Sequence, residues 1–295
     1  LGLLLALPGG TVTTKYVNDL FIFLDGAYRI VGHGQVPSVD FRTSLGPVAF
    51  YIPALGYWLT GNLGAAMPTG MALVVLLFSL IGAHVIGTRM RPVIGIPLAV
   101  FLLLIVAVPI NPGEAVTDLS FAMFYNRIGW AGIGLLLVFH LRPLDPSRRQ
   151  TLLDATCAAS LTLLLLYMKV SYGLVAIAFL AFMLSDRRQW RAFAIALAAC
   201  AAAAMLIEWA WGGSLSHLAD IELAREVSGD MPNVRRFAGV VLQNLADVAV
   251  YAIFAAVLLF TRRRYRDPVF IGFVAATGVL LLDQNFQIVG ILSLA

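Results

Sequence analysis

The feature that most constrains this chain is a succession of apolar runs. From residue 63 onward, stretches such as "MALVVLLFSLIGAHVIG" and "AFAIALAACAAAAMLIEWAW" follow one another with only short polar breaks. Crossing a hydrocarbon core of ~30 Å takes about 20 apolar residues in a helix. No backbone N–H or C=O can stay unpaired there, so such runs fold as spanning helices rather than open sheets. Only 12% of the 295 residues are charged, about half the share usual in soluble domains, and the mean hydropathy is +0.89. The fold expected is all-α: one polytopic transmembrane helix bundle over residues 1–295. Residues 63–295 supply about eight spans, and residues 9–62 form an outer loop carrying amphipathic juxtamembrane helices. The chain lacks an initiator methionine, opens on half of a span in "LGLLLALPGG" and stops as another begins in "IVGILSLA", so it reads as a piece of a longer protein.

Arginine sets the orientation. Four short loops, "RMR" at 89–91, "RPLDPSRR" at 142–149, "RRQWR" at 187–191 and "RRRYR" at 262–266, hold more than half of the twenty Lys and Arg residues. The positive-inside rule assigns all four to the cytoplasmic face. The net charge of +4 is thereby explained as topology, and no nucleic-acid partner is expected. Residues 92–109 and 121–141 then form two spans joined outside, and 192–211 and 238–261 two more. A helix over 151–184 would be ~51 Å long, too long for one crossing. Equal charge on its two flanks requires a hairpin, broken at "KVSYG", which puts Lys169 at the outer end. The segment "PVAFYIPALGYWLTG" is short, contains Pro53 and carries Tyr51, Tyr57 and Trp58, so it is expected in the outer interface, ahead of a span over 66–88.

Against this background, "NDLFIFLDGAYRIVGHGQVPSVDFRTSLGP" at 18–47 concentrates charge in the outer loop. Residues 16–31 are helix-compatible and place Asn18, Asp25 and Arg29 on one polar stripe, with Asp25 and Arg29 at the i, i+4 spacing of a helix ion pair. Leu20, Phe21, Phe23, Leu24, Tyr28 and Ile30 make the rest of the surface apolar enough to lie against lipid. "GHGQVP" ends this helix, and Asp40 and Ser44 suit the capping of following turns, which competes with a role for Asp40 in a cavity.

The order "ND", then "LFIFLDGAYRIVG", then "GQVPSVDF", then "GPVAFYIPALGYWLTG" resembles the first outer loop of the C-fold (GT-C) membrane glycosyltransferases, over residues 18 to 90. Those polytopic enzymes transfer a sugar from a polyprenyl-phosphate carrier on the outer face of the membrane. The resemblance implies that Asp19 is the general base on the acceptor hydroxyl, with Asp25 as the second candidate. It also implies that the donor phosphate is met by Arg42, Lys169 or Arg127, and that Asp40, Asn126 and Tyr172 border the acceptor cavity. The chain departs from the family pattern in two places. Asn18 stands where a first acid often precedes the base, and Leu45 and Gly46 replace a Lys-Pro, which leaves Arg42 as the nearest cation. Partners implied are a polyprenyl-phosphate sugar donor, membrane lipid, and a lipid or glycan acceptor. A divalent cation serves some members and not others. The location implied is the bacterial inner membrane, with the site facing outward.

Each cation also has a plainer reading. Lys169 can snorkel to the interface, and Arg127 can anchor a span end beside Asn126 and Tyr125. Asp247 and Gln243 share one face of "VLQNLADVAVY", and an unpartnered acid at mid-membrane costs about 2.5–3.5 kcal/mol, so an interhelical hydrogen bond is expected there. His84 is expected to bond a neighbouring helix. Glu208, Glu222, Glu226 and Asp230 border an acceptor or are simply solvated, and Asp283, Gln284 and Asn285 fall at another outer turn. The four histidines and the two cysteines, Cys157 and Cys200, have no ligand spacing, so no metal site is expected. The competing function is a transporter or a flippase for lipid-linked saccharides, which would need its polar groups at the midplane rather than near one interface.

Overall fold

A computed structural model describes residues 1–110, 115, 117–228, 234–262 and 265–284. Among these residues there is no strand, only an isolated bridge between Pro37 and Phe41, and the chain is an all-α helical bundle. Its helices are α1 (Gly2–Ala6), α2 (Val17–His33), α3 (Val48–Thr60), α4 (Leu63–Gly87), α5 (Pro92–Ala107), α6 (Phe124–Val138) and α7 (Arg148–Met168). They continue as α8 (Val170–Met183), α9 (Trp190–Trp211), α10 (Ser214–Ser228), α11 (Val234–Gln243), α12 (Leu245–Arg262) and α13 (Arg266–Gln284). Three of them, α4, α7 and α9, are long and apolar enough to cross a membrane. Helices α3, α5 and α8 and residues 245–261 of α12 are shorter apolar helices. Large apolar side chains stand exposed along the bundle, among them Leu80, Val93, Ile94, Ile96 and Leu174, which is the surface a lipid environment accepts.

Local chemistry sets the helix ends. Asn62 caps α4 by accepting from Gly64 N at 2.8 Å, and Ser147 caps α7 by accepting from Gln150 N at 3.0 Å. The run 148–183 breaks at Lys169, whose extended backbone (φ −157°, ψ 123°) separates α7 from α8, and the two helices pack on each other as a hairpin. The expected spans 92–109 and 121–141 are shorter than their apolar runs: α5 has 16 residues and α6 has 15, about 24 and 22 Å. Helix α5 ends ahead of Pro109, and α6 cannot start before Met123, which is held at φ +56°.

The contacts divide the chain, expected from sequence to form one domain, into two compact units: residues 1–111 with 116–229, and residues 112–115 with 230–295. In the first unit three arginine loops meet at one end. Arg89 Nε donates to Leu141 O at 3.1 Å, Leu144 N donates to Thr88 O at 2.9 Å, and Arg142 pairs with Asp186 at 3.4 Å. Below them Asp154 of α7, 3% exposed, accepts from Arg89 Nη2 at 2.5 Å and Gln150 Nε2 at 2.9 Å, and lies 3.0 Å from His84 Nε2. His84 thus does bond a neighbouring helix. The start of α4 lies about 37 Å along its axis from this end, and the break at Lys169 lies about 21 Å along α7 from Asp154. Because Gly46 N donates to Met168 O (3.0 Å) and Asn62 opens α4, the segment between them starts and finishes away from the arginine loops.

Helix α3 packs against the first half of α4 through small residues. A Cβ on Gly56 would strike Ala66 O, and one on Gly70 would strike Ile52 O, so these glycines permit backbone contact between the helices. Tyr51 and Trp58 remain exposed. Helix α2 is not wholly given to lipid, as its apolar surface alone suggests. Leu20, Phe23, Leu24 and Ala27 are core residues packed on α3, while Phe21, Ile22 and Tyr28 stay exposed.

In the second unit the expected span 238–261 is interrupted at buried Asn244, between α11 and α12. Asp247 therefore sits in the first turn of α12, where the positive end of the helix dipole meets it, instead of in mid-span. Tyr251 Oη donates to Ile271 O at 2.6 Å and ties α12 to α13.

Candidate functional site

At the end of the first unit remote from the arginine loops, α2, α6 and the segment 41–50 enclose a cavity of about 580 Å³. Helix α2 contributes Asp19, Ile22, Phe23 and Gly26, the i, i+3, i+4, i+7 face of a helix, together with Asp25 and Arg29. Its floor is aromatic. Phe23 stands 5.5 Å from Phe50 and 6.0 Å from Tyr125 between ring centroids, and Phe41 stands 5.5 Å from Phe50. All four rings line the cavity. The two helices approach closely because Gly26 has no Cβ to meet the Phe50 ring.

Two opposite charges on the cavity wall have no partner among the described residues: the half-buried Asp19 carboxylate and the exposed Arg42 guanidinium. Asp25 and Arg29 also line the wall but satisfy each other, Arg29 Nε donating to Asp25 Oδ2 at 2.6 Å across the expected i, i+4 spacing. The guanidinium of Arg29 further sits 5.9 Å from the Phe41 ring. The second candidate base is therefore already in an ion pair, and the first is not.

The segment that carries Phe41, Arg42 and Thr43 is clamped from above by α9 and α10. Trp211 Nε1 donates to Pro37 O at 2.9 Å, Thr43 N donates to Asp220 Oδ2 at 3.0 Å, and His217 Nδ1 lies 3.3 Å from both Ser38 Oγ and Thr43 O. Burial lowers the pKa of His217, while the Thr43 carbonyl and Asp220 act the other way. Gly46 completes the clamp: any Cβ there would run into Tyr167 O at the end of α7. The glycine at 46 thus has a steric reason.

The remaining sequence candidates lie outside the cavity lining. Lys169 is one layer back, its Nζ 5.6 Å from the centre of the Tyr125 ring that forms part of the wall. Arg127 does not line the cavity: it is 1% exposed, and its Nη1 donates to Val108 O (2.7 Å) and Ser120 O (3.3 Å). It satisfies the Val108 carbonyl at the C-terminus of α5 and the Ser120 carbonyl ahead of α6, while its Nε and Nη2 have no hydrogen-bond partner among the described residues. Asn126 and Tyr172 are likewise core residues, buried at 2% and 0% exposure, with Tyr172 Oη 3.4 Å from Asn126 Oδ1. Asp40 accepts from Val36 N at 2.7 Å, so it holds the turn that precedes it instead of capping a following one. Glu208 accepts from Ser214 Oγ, and Glu222 and Glu226 are exposed on α10. Asp230 and Asn285 lie outside the described residues, as do the side chains of Asp283 and Gln284.

Sequence reasoning did not single out Arg29, Tyr125, His217 and Asp220 as parts of this site. The face 19, 22, 26, 29 was a usable signal for Arg29, whereas His217 and Asp220 come from more than 170 positions away, with no local pattern to announce them. Among the described residues no group of three or more His, Cys, Asp or Glu side chains is placed to hold a metal ion. No family model, curated protein or solved structure matches this chain.

Proposed function

We propose that this membrane protein is a glycosyltransferase of the C-fold type, which moves a sugar from a polyprenyl-phosphate carrier to an acceptor hydroxyl. The reaction takes place on the face opposite the arginine loops, the outer face of a bacterial inner membrane under the positive-inside rule. The observation that carries this reading is the pair Asp19 and Arg42, a carboxylate and a guanidinium on the wall of one cavity with no hydrogen-bond or ion-pair partner among the described residues. In the reaction Asp19 takes the proton of the acceptor hydroxyl as its oxygen bonds the anomeric carbon. The bond from that carbon to the carrier phosphate breaks, and the phosphate leaves with its electron pair against Arg42. A single displacement of this kind inverts the anomeric centre.

The aromatic floor of Phe23, Phe41, Phe50 and Tyr125 offers apolar faces to a sugar ring and to the first isoprene units. Exposed Phe21, Ile22 and Trp58, on the same helices, make the surroundings compatible with lipid. A transporter reading needs polar groups along a path through the bundle, and this cavity lies at one end of the first unit instead.

The test is transfer of radiolabelled sugar from a lipid-phosphate donor pool by membranes carrying the protein. Asp19→Asn lowers turnover by about 10²–10⁴-fold, the usual contribution of a general base, with insertion unchanged. Asp25→Asn has the smaller effect of loosening Arg29. Turnover by Asp19→Asn equal to the parent's would remove Asp19 from the chemistry and, with it, this assignment.

A further inference from the structure

The arginine-rich end of the first unit holds a second cavity, of about 270 Å³, which sugar transfer at the far end does not use. Arg187, Arg188 and Arg191 line it, together with Trp190 and with Ser147 and Gln150 at the start of α7. All three arginines are exposed, and no carboxylate pairs with any of them among the described residues. The one acid in the lining, Asp154, is already occupied by Arg89, Gln150 and His84, so the cavity is left positive. Helices α7 and α9 both begin here and add the positive ends of their dipoles. Gln189, 6% exposed, also lines the cavity and stands at the N-terminal cap of α9.

Position selects the ligand. Helices α7 and α9 are two of the three helices able to cross a membrane, and the cavity sits at their ends, where lipid phosphates lie. Trp190, 45% exposed beside it, is the side chain that favours this depth. Arginines that served orientation alone would need only to stay on one side of the membrane, not to share a cavity with two helix N-termini.

We infer that this cavity binds the headgroup of an anionic phospholipid, with the phosphate on Arg187, Arg188 and Arg191. The inference does not depend on the transferase reading. It is tested on the purified full chain, stripped of lipid in a zwitterionic detergent and titrated with phosphatidylglycerol or phosphatidylcholine, bound lipid being counted by native mass spectrometry. Phosphatidylglycerol binds about tenfold more tightly than phosphatidylcholine, and Arg188→Gln and Arg191→Gln each weaken it about fivefold. The double variant Arg148→Gln/Arg149→Gln removes twice the charge of either single variant from the first turn of α7, outside the cavity lining, and leaves binding within about twofold of the parent. Equal loss in both sets would reduce the effect to general surface charge. On the unmodified protein, equal affinity for the two lipids, or displacement of phosphatidylglycerol by millimolar inorganic phosphate, would overturn the assignment without any variant having to fold.

Discussion

Removing the carboxylate of Asp154 should unfold the protein at a markedly lower temperature while leaving the cavity lined by Asp19 intact. Asp154 is 3% exposed and meets Arg89, whose side chain is fully buried, at 2.5 Å. In Asp154→Ala the guanidinium keeps Leu141 O and Thr88 Oγ1 as acceptors and the Phe139 ring 4.6 Å away, but it loses its only counter-ion among the described residues. Gln150 Nε2 and the His84 ring lose an acceptor at the same time. Deleting one member of a buried pair costs about 3–5 kcal/mol, because the other charge stays buried. At roughly 2–4 °C per kcal/mol for a chain of about this size, the midpoint falls by ~6–20 °C. The assay is thermal unfolding in mild detergent, followed by tryptophan fluorescence at one fixed scan rate, since unfolding of such proteins is commonly irreversible. The double variant Arg89→Met/Asp154→Leu removes both charges and should recover most of the loss. A midpoint for Asp154→Ala within about 2 °C of the parent would refute the reasoning, and so would a double variant no better than the single one.

Two further outcomes follow from the packing around the cavity lined by Asp19. Gly56→Ala drives a Cβ into Ala66 O, a backbone atom that cannot rotate away; a destabilisation of at least about 1–3 kcal/mol is expected in the same thermal assay, and an unchanged midpoint would mean that α3 does not pack on α4 as described. Acidification should loosen the clamp on residues 37–43: with its pKa below the ordinary 6.5, His217 is neutral in the clamp, so a released ring takes up a proton first. The clamp is then at full strength above pH ~6.5 and weakens as pH falls below that value. Hydrogen-exchange protection of these amides, corrected for intrinsic rates, should drop between pH 7.5 and about 5.5, and equal protection would exclude the coupling.

Much of this molecule follows from the sequence alone. Runs of apolar residues force helices because unpaired backbone groups have no place in hydrocarbon, and the run 148–183 must break because one helix of that length does not fit the core. The ion pair between Asp25 and Arg29 was legible for the same reason: its partners are four residues apart on one helix, so its geometry is local. What the sequence could not decide is which side of each helix meets protein. In water the apolar face marks the core, but in a membrane lipid-facing and protein-facing surfaces are both apolar, and hydropathy loses that information. Leu20 and Phe21 look alike in the sequence, yet one is 4% and the other 61% exposed. For the same reason only the tertiary structure decided that Arg127 serves the end of α5 while Arg42 stands open on the cavity beside Asp19, and that α10 reaches back to hold residues 37–43 in place.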